Sequence, residues 1–307
     1  MNVYKLTLDA KGYQSIDKDD YEKRTGRRPP WYKTSDRGTP QYFAVCPACD
    51  NPIQIIGFYK RLNNTPHPYG KHVPKPIPGV GHYDHDAYLW CPYSKENTGN
   101  NEERPKRDGS YITEQLLATL ITHFDKVVYL LGKNIRIISM KPKLVESMLR
   151  QYRREEGWLY ARATLMNVRW TFAYMTDYQK ILYQTRLTSV LTDTLVSQAP
   201  DHLSVSETGF LIRHPDCKAY VDLGIYFTRH HHQVQGETLT ESMDCVFTLT
   251  VANQTNREIH RITIDFNYQH FNNLAHLDRW TETTSGQTQL QLAEDILGPL
   301  CHSRKAG

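Results

Sequence analysis

The residues best suited to chemistry are two cysteines in the stretch VCPACDNP, residues 45–52. Cys46 and Cys49 stand two residues apart, the spacing of a zinc knuckle, and Cys91 lies in the similar context WCPYS. A redox pair would instead place this motif after a strand and at the start of a helix. The residues that follow the motif favour a strand or hairpin, so we interpret the three thiols as metal ligands.

A fourth ligand must come from the loop between the knuckle and Cys91, whose histidines are His67, His72, His82 and His85. We select His72, because the turn-forming Pro68 and Gly70 before it can swing its imidazole inward. The predicted ligand set is Cys46, Cys49, His72 and Cys91. Three cysteines and one histidine suit a tetrahedral structural zinc ion with no open position, so this metal is expected to order the loop and to perform no chemistry.

A second concentration of reactive side chains is the internal run TRHHHQ, residues 228–233. Along a strand, His230 and His232 share one face. Two imidazoles can divide the general acid and general base roles that RNA cleavage through its own 2′-hydroxyl requires. The alternative is a solvated hairpin end that is rich in histidine but has no catalytic role.

Charge is distributed unevenly along the chain. Residues 1–199 have nine more basic than acidic side chains, and residues 200–307 have five more acidic than basic ones. The basic half is a plausible electrostatic footprint for nucleic acid, with Arg150, Arg153 and Arg154 as candidate phosphate contacts. Solvated helix faces that carry extra Lys and Arg explain the same imbalance.

Three aspartates fall on neighbouring strand candidates: Asp222, Asp244 and Asp265. They occupy the polar phase of their strands, so a solvated sheet face explains them better than a magnesium site does. The chain also lacks a phosphate-binding glycine loop, a nucleophile elbow and a zinc-protease helix. If catalysis exists outside the histidine run, we expect it in the helical part, around Tyr152, Arg153, Tyr160 and Arg162.

Hydrophobic periodicity changes along the chain from helical to strand-like. Residues 112–124 and 141–157 have apolar side chains at helical spacing, whereas three runs after residue 219 alternate as antiparallel strands do. We predict an α+β fold in which a zinc-stapled, mainly helical N-terminal half precedes a small antiparallel β-sheet domain. The predicted divisions are a basic extended arm over 1–40, a zinc-binding loop region over 41–110, a helical domain over 111–199 and a β domain over 200–307.

Composition restricts the class of protein. No run of residues approaches the ~20 apolar residues that a membrane-spanning helix needs, and the N-terminus lacks the features of a signal peptide. We therefore expect a cytoplasmic protein without membrane contact. In a reducing compartment the six cysteines are better explained as metal ligands or buried thiols than as a disulfide framework.

A cysteine–histidine finger at Cys46, Cys49, His72 and Cys91, followed by helical and β regions, resembles the zinc-finger ribonucleases of bacterial antiphage defence. One group of those enzymes assembles into rings when it senses a ring-shaped phage protein. The resemblance implies RNA cleavage, homo-oligomerisation and a protein trigger. No catalytic residue of that family can be matched to a position of this chain.

The leading hypothesis is a nucleic-acid effector that cleaves RNA in prokaryotic antiphage defence. The rival hypothesis is a zinc-finger module without enzymatic activity, which binds nucleic acid or a protein partner. Labelled RNA incubated with the protein would separate the two, because only the first hypothesis predicts shortened products.

Overall fold

A computed structural model describes residues 1–10, 12–59, 67–96, 103–252, 255–268 and 283–302. The chain divides into two compact units. Unit 1 contains residues 1–99, 164–166 and 232–240, and unit 2 contains residues 100–163, 167–231 and 241–307. Residues 60–66 and 97–102, which belong to the sequence-based zinc-binding region, lie outside the described residues.

Unit 1 is built mainly from short strands. Its strands are β1 (Val3–Tyr4), β2 (Gln14–Ser15), β3 (Tyr32–Thr34), β4 (Pro40–Val45), β5 (Pro52–Ile56) and β6 (Tyr69–His72), and its helices are α1 (Lys18–Thr25) and α2 (His85–Leu89). Strands β3 to β6 form an antiparallel sheet in chain order. Phe43, Val45, Ile77 and Val80 form a small core of this unit.

Residues 1–40, which we interpreted as a basic arm, contain helix α1 and three short strands. The Asp17 side chain accepts a hydrogen bond from the Asp20 amide at the N-terminus of α1, and Gly26 ends the helix in the left-handed region. Tyr4 and Tyr21 are fully buried, and the Tyr21 hydroxyl donates to the Phe43 carbonyl at 2.7 Å. The aromatic residues of this segment therefore supply packing that its composition did not reveal.

Unit 2 contains the longer helices and strands. Its helices are α3 (Tyr111–Thr122), α4 (Phe124–Asn134), α5 (Pro142–Arg154), α6 (Val168–Tyr174), α7 (Ser189–Gln198) and α8 (Thr284–His302), with a 3₁₀ turn at Gly157–Leu159. Its strands are β7 (Ile137–Met140), β8 (Gln179–Lys180), β9 (Thr185–Leu187), β10 (Leu203–Val205), β11 (Leu211–Arg213), β12 (Val221–Gln235), β13 (Thr238–Val251) and β14 (Arg257–Asp265). The tip of the β12–β13 hairpin belongs to unit 1.

Strands β14, β13, β12 and β8 form a four-stranded sheet in that order. The β13–β14 and β12–β8 pairs are antiparallel. The alternation of apolar residues predicted β12, β13 and β14 correctly, and the helical spacing predicted α3 and α5, including the start of α5 at Pro142. None of the helices in the described ranges is long and apolar enough to cross a membrane.

The predicted mainly helical N-terminal half is wrong. The fold is mixed, with about 32% helix and 30% strand in several small antiparallel sheets, and the helices are not concentrated in the N-terminal half. In the described part of residues 1–99, six short strands accompany the two short helices α1 and α2, while the long helix α8 lies near the C-terminus. The run at 127–131, which has β-forming residues, folds into α4, because helical packing buries Val127, Val128, Leu130 and Leu131. Helix α6 ends at Tyr174 and is followed by the short strands β8 and β9.

Candidate metal centre

The four side chains of the predicted ligand set meet in unit 1. Cys46, Cys49, His72 and Cys91 place their ligand atoms within 4.8 Å of one another, and all but His72 are buried. Cys46 Sγ lies 3.8 Å from Cys91 Sγ, and His72 Nε2 lies 3.3 Å from Cys49 Sγ and 3.7 Å from Cys91 Sγ. This buried cluster of three cysteines and one histidine could hold a metal ion.

The knuckle that carries the first two cysteines joins β4 to β5. The Cys46 amide donates to the Asn51 carbonyl at 2.8 Å, and the Asp50 amide donates to the Cys46 carbonyl at 3.0 Å. Asp50 has φ +62°, the left-handed conformation that lets the chain reverse within four residues. Its carboxylate forms an ion pair of 2.6 Å with the buried ammonium group of Lys5.

The other two ligands come from separate elements. His72 ends β6, where it lies opposite Ile53 of β5, and Cys91 follows helix α2, donating its amide to the Tyr88 carbonyl at 3.0 Å. The Tyr88 ring and the His72 imidazole pack in a T-shaped arrangement, with 5.1 Å between ring centroids. A bound ion would therefore connect β4, β5, β6 and α2.

Asn51 links the cluster to the loop before α2. Its Nδ2 donates to the Asp84 carbonyl at 2.9 Å and contacts Cys49 Sγ at 3.4 Å, while its Oδ1 accepts from the Asp84 amide at 2.6 Å. The side chain is fully buried. Asn51 was not predicted from the sequence, although an amide two residues after Cys49 is close enough to reach the sulfur.

The electrostatics of the three thiols favour a cation. Burial raises the pKa of Cys49 and Cys91 well above the usual range of a thiol. Burial also opposes ionisation of Cys46, but hydrogen bonds from Cys49 and Cys91 stabilise its thiolate and lower its pKa well below the usual range. The cluster by itself thus supports one thiolate, and a divalent cation is what would allow all three to ionise.

Among the described residues this cluster is the one group of His, Cys, Asp and Glu with metal-binding spacing. The three aspartates considered for magnesium do not form such a group. Asp222 pairs with Lys180 at 2.9 Å, and Asp244 accepts from Arg261 and Thr263 at 2.8 Å each. These partners occupy the two carboxylates, but Asp244 is 7% exposed and so does not lie on the solvated face that its strand phase predicted.

The two candidate catalytic histidines differ in environment. His230 is 2% exposed and belongs to unit 2, whereas His232 is half-buried and belongs to unit 1. Arg229, in the left-handed region at φ +54°, interrupts the alternation of β12 so that His230 turns inward. The run TRHHHQ therefore contributes one core imidazole rather than two equally solvated ones.

His230 belongs to a buried polar cluster with Tyr160, Glu241 and Asn167. Its Nδ1 lies 3.0 Å from the Tyr160 hydroxyl, and its Nε2 lies 3.7 Å from Glu241 Oε2. Asn167 Nδ2 donates to Glu241 at 2.9 Å and to the Arg162 carbonyl at 3.0 Å. Glu241 was not singled out from the sequence, although it occupies the inward phase of β13 between Leu239 and Met243.

The candidate phosphate contacts lie on α5 and already have partners. Arg150 pairs with Glu146 at 2.7 Å, and Arg153 donates to the Ile296 carbonyl of α8 at 2.9 Å. Arg154 lies 3.2 Å from Glu155 and 3.7 Å from Asp177. All three arginines are exposed, so they can still meet a ligand, and Arg153 in addition connects α5 to α8.

Comparison of the chain with protein-family models, with curated proteins and with solved structures finds no match. The site is therefore interpreted from its own geometry.

Proposed function

We propose that Cys46, Cys49, His72 and Cys91 bind one structural zinc ion and that unit 1 is a nucleic-acid-binding module, with single-stranded RNA as the favoured ligand. A tetrahedral site with Zn–S bonds of about 2.3 Å and Zn–N bonds of about 2.0 Å has S–S edges of about 3.8 Å and S–N edges of about 3.5 Å. The distances of 3.8, 3.3 and 3.7 Å in the cluster are close to these edges. With four protein ligands, the ion has no position for a reacting water.

The observation that supports the nucleic-acid proposal is an aromatic face on the sheet of β3 to β6, the sheet that also contains His72. Tyr32 and Tyr42 are opposite each other on β3 and β4, with ring centroids 5.0 Å apart. Tyr42 also contacts Phe58 and Tyr59, with centroids 5.6 and 5.4 Å apart. Tyr59 is 54% exposed, so this face offers a ring to an incoming base.

Cations accompany these rings. The Lys18 ammonium group lies 4.2 Å from the centroid of the Tyr59 ring. Lys23, Arg24, Arg27 and Arg28 are exposed on α1 and just after it. Single-stranded nucleic acid is bound by this combination, because bases stack on aromatic rings while cations meet the backbone phosphates.

RNA cleavage is a second candidate, and the chain of Tyr160, His230 and Glu241 is the observation that favours it. A phenol and an imidazole 3.0 Å apart can exchange a proton, and the Glu241 carboxylate lies 3.7 Å from the other ring nitrogen. Burial of His230 weighs against direct contact with RNA, so we rank binding above cleavage. The resemblance to zinc-finger ribonucleases is the only support for homo-oligomerisation and for activation by another protein. We propose these two properties only as part of the RNA-cleavage candidate.

Binding is tested by fluorescence anisotropy with a labelled single-stranded RNA over a series of salt concentrations. Loss of a stacked base costs about 1–3 kcal/mol, so Tyr59→Ala should weaken binding by about tenfold or more. Lys18→Ala should reduce the magnitude of the slope of log affinity against log salt concentration by about one, because one phosphate fewer is neutralised. Tyr183→Ala, at a comparably exposed tyrosine of unit 2, is the matched control.

Equal affinity of the Tyr59 and Tyr183 variants, or no binding of RNA by the wild type, would refute the binding proposal. Gel analysis of the same RNA reports cleavage separately. If His230 performs acid–base catalysis, His230→Ala and His232→Ala should each slow cleavage by roughly a hundredfold, with 2′,3′-cyclic phosphate ends on the wild-type products. Intact RNA at every protein concentration would remove the second candidate.

A further inference from the structure

Unit 2 contains a cleft of about 380 Å³ on the face of the sheet formed by β8, β12 and β13. Its lining consists of Arg104, Asp177, Tyr178, Asp222, Tyr226, Thr250 and Asn256. The volume lies within the range of about 300–1,000 Å³ that is usual for small-molecule sites. None of the residues of the metal centre or of the aromatic face belongs to this lining.

The floor of the cleft is formed by a tyrosine packed on a glycine. A Cβ atom at Gly224 would lie 2.2 Å from the Tyr178 ring, so the absence of a side chain at this strand position is what admits the ring. Asp222 and Tyr226 flank Gly224 on the same phase of β12. The aromatic floor is therefore fixed by packing before any ligand arrives.

The charged groups of the cleft are already paired with one another. Lys180 lies 2.9 Å from Asp222, and Asp177 lies 3.4 Å from Arg104 and 3.7 Å from Arg154. Arg104 is also held over the Tyr174 ring at 5.0 Å. A ligand with a net charge would have to break such a pair and leave one member without its partner.

The remaining polar groups are neutral and offer both donors and acceptors. The Thr250 hydroxyl donates to Asn256 Oδ1 at 3.2 Å, which orients the amide and leaves its Nδ2 as a donor. The Tyr226 hydroxyl is able both to donate and to accept. Hydroxyl groups on a ligand match such a mixed set, because each hydroxyl donates once and accepts twice.

We propose that this cleft binds a neutral sugar ring, presented either as a free saccharide or as the ribose of a nucleoside. The apolar CH groups of the ring would lie on the tyrosine rings, and its hydroxyls would bond to Asn256, Tyr226 and the carboxylate of Asp177. The proposal uses other residues than the RNA-binding face of unit 1 and stands independently of it.

Saturation-transfer-difference NMR on the full-length protein tests the proposal, with uridine, 2′-deoxyuridine and methyl glucoside as probes. Transfer to the ring protons of at least one probe is expected for the wild type at millimolar concentration. Tyr226→Ala and Asn256→Ala should each weaken binding about tenfold, the cost of roughly one hydrogen bond or ring contact. Tyr183→Ala is again the control, and circular dichroism verifies the fold of each variant.

The three probes separate the two sources. A signal from uridine that is reduced with 2′-deoxyuridine assigns the site to ribose, and a signal from methyl glucoside alone assigns it to saccharides. Absence of transfer to every probe overturns the proposal, as does binding that both cleft variants leave unchanged. Inorganic phosphate that competes with the sugar at these residues would show an anion site and would overturn it too.

Discussion

Units 1 and 2 each bury a cluster of polar side chains, and different interactions stabilise the two clusters. In unit 1, three thiols and an imidazole face one another, and ionisation of the Cys46 thiol is favoured over ionisation of Cys49 and Cys91. In unit 2, the Tyr160 hydroxyl is hydrogen-bonded to His230 and the Asn167 amide donates to Glu241, while His230 Nε2 lies 3.7 Å from the Glu241 carboxylate. The first cluster could hold a metal ion from outside the chain, whereas the second is joined by hydrogen bonds between side chains and leaves Nε2 of His230 without a hydrogen-bond partner.

This difference determines which perturbation should damage each unit. Structural metal sites couple binding to folding, so the free energy of metal binding is also folding free energy. A buried hydrogen-bonded cluster contributes through the cost of leaving a partner unsatisfied when one member is removed. Removal of metal should therefore affect unit 1, and substitution of the carboxylate should affect unit 2.

The largest effect is expected from breaking the metal centre. Structural zinc contributes about 10–16 kcal/mol of apparent binding free energy in small fingers, so Cys46→Ser or Cys91→Ser should release about one zinc ion per chain. Amide hydrogen exchange should accelerate throughout β4, β5 and β6. Elemental analysis and exchange mass spectrometry measure the two effects.

Cys301→Ser, at a cysteine of α8 outside the cluster, is the matched control and should keep its zinc. Protection of the strands in unit 2 should survive in every variant, because their polar groups do not depend on the ion. Wild-type protein without any zinc would contradict the proposal, whereas a normal metal content in His72→Ala would contradict only the assignment of the fourth ligand.

The next effect is expected in unit 2. Glu241→Ala removes the acceptor of Asn167 and the carboxylate beside His230, and buried donors without partners cost about 1–3 kcal/mol each. We expect a loss of about 3 kcal/mol in the free energy of unfolding, measured with urea, and an unchanged zinc content. Glu258→Ala is the control, because its exposed pair with Arg261 should contribute no more than about 1 kcal/mol. Equal losses in both variants would mean that the buried cluster contributes no more to the free energy of unfolding than an exposed ion pair does.

The clustering of Cys46, Cys49, His72 and Cys91 could be predicted from the sequence because metal ligands are restricted in type and spacing. Pro68 and Gly70 favoured His72, which does join the cluster, but the turn expected there is wrong, because Gly70 lies within strand β6. The partner of His230 could not be predicted in the same way. A contact between residue 230 and residues 160 and 241 depends on how a helical and a strand segment pack, and spacing along the chain does not show that.

The error in fold class has a related cause. Residues 1–59 contain short strands of two to six residues, too short for alternation to be distinguished from irregular structure. Their stability comes from the sheet, from the burial of Tyr4 and Tyr21, and from the proposed ion, none of which local propensity records. The β12, β13 and β14 strands were found because nine to fifteen residues give the alternation room to repeat.

The smallest effect is expected within unit 1, at Asn51, which is not one of the four proposed metal ligands. Asn51 contacts the Cys49 sulfur at 3.4 Å and holds the Asp84 backbone through two further hydrogen bonds. Groups that orient metal ligands typically contribute 10–100-fold to metal affinity. Asn51→Ala should therefore weaken zinc binding by about 10–100-fold, measured by competition with a chromogenic chelator, while the chain still binds one ion.

Gln54→Ala, at a half-buried amide on β5, should leave the affinity unchanged. Complete loss of zinc from Asn51→Ala would mean that this amide is needed to form the knuckle, and an unaltered affinity would mean that the four ligands position themselves.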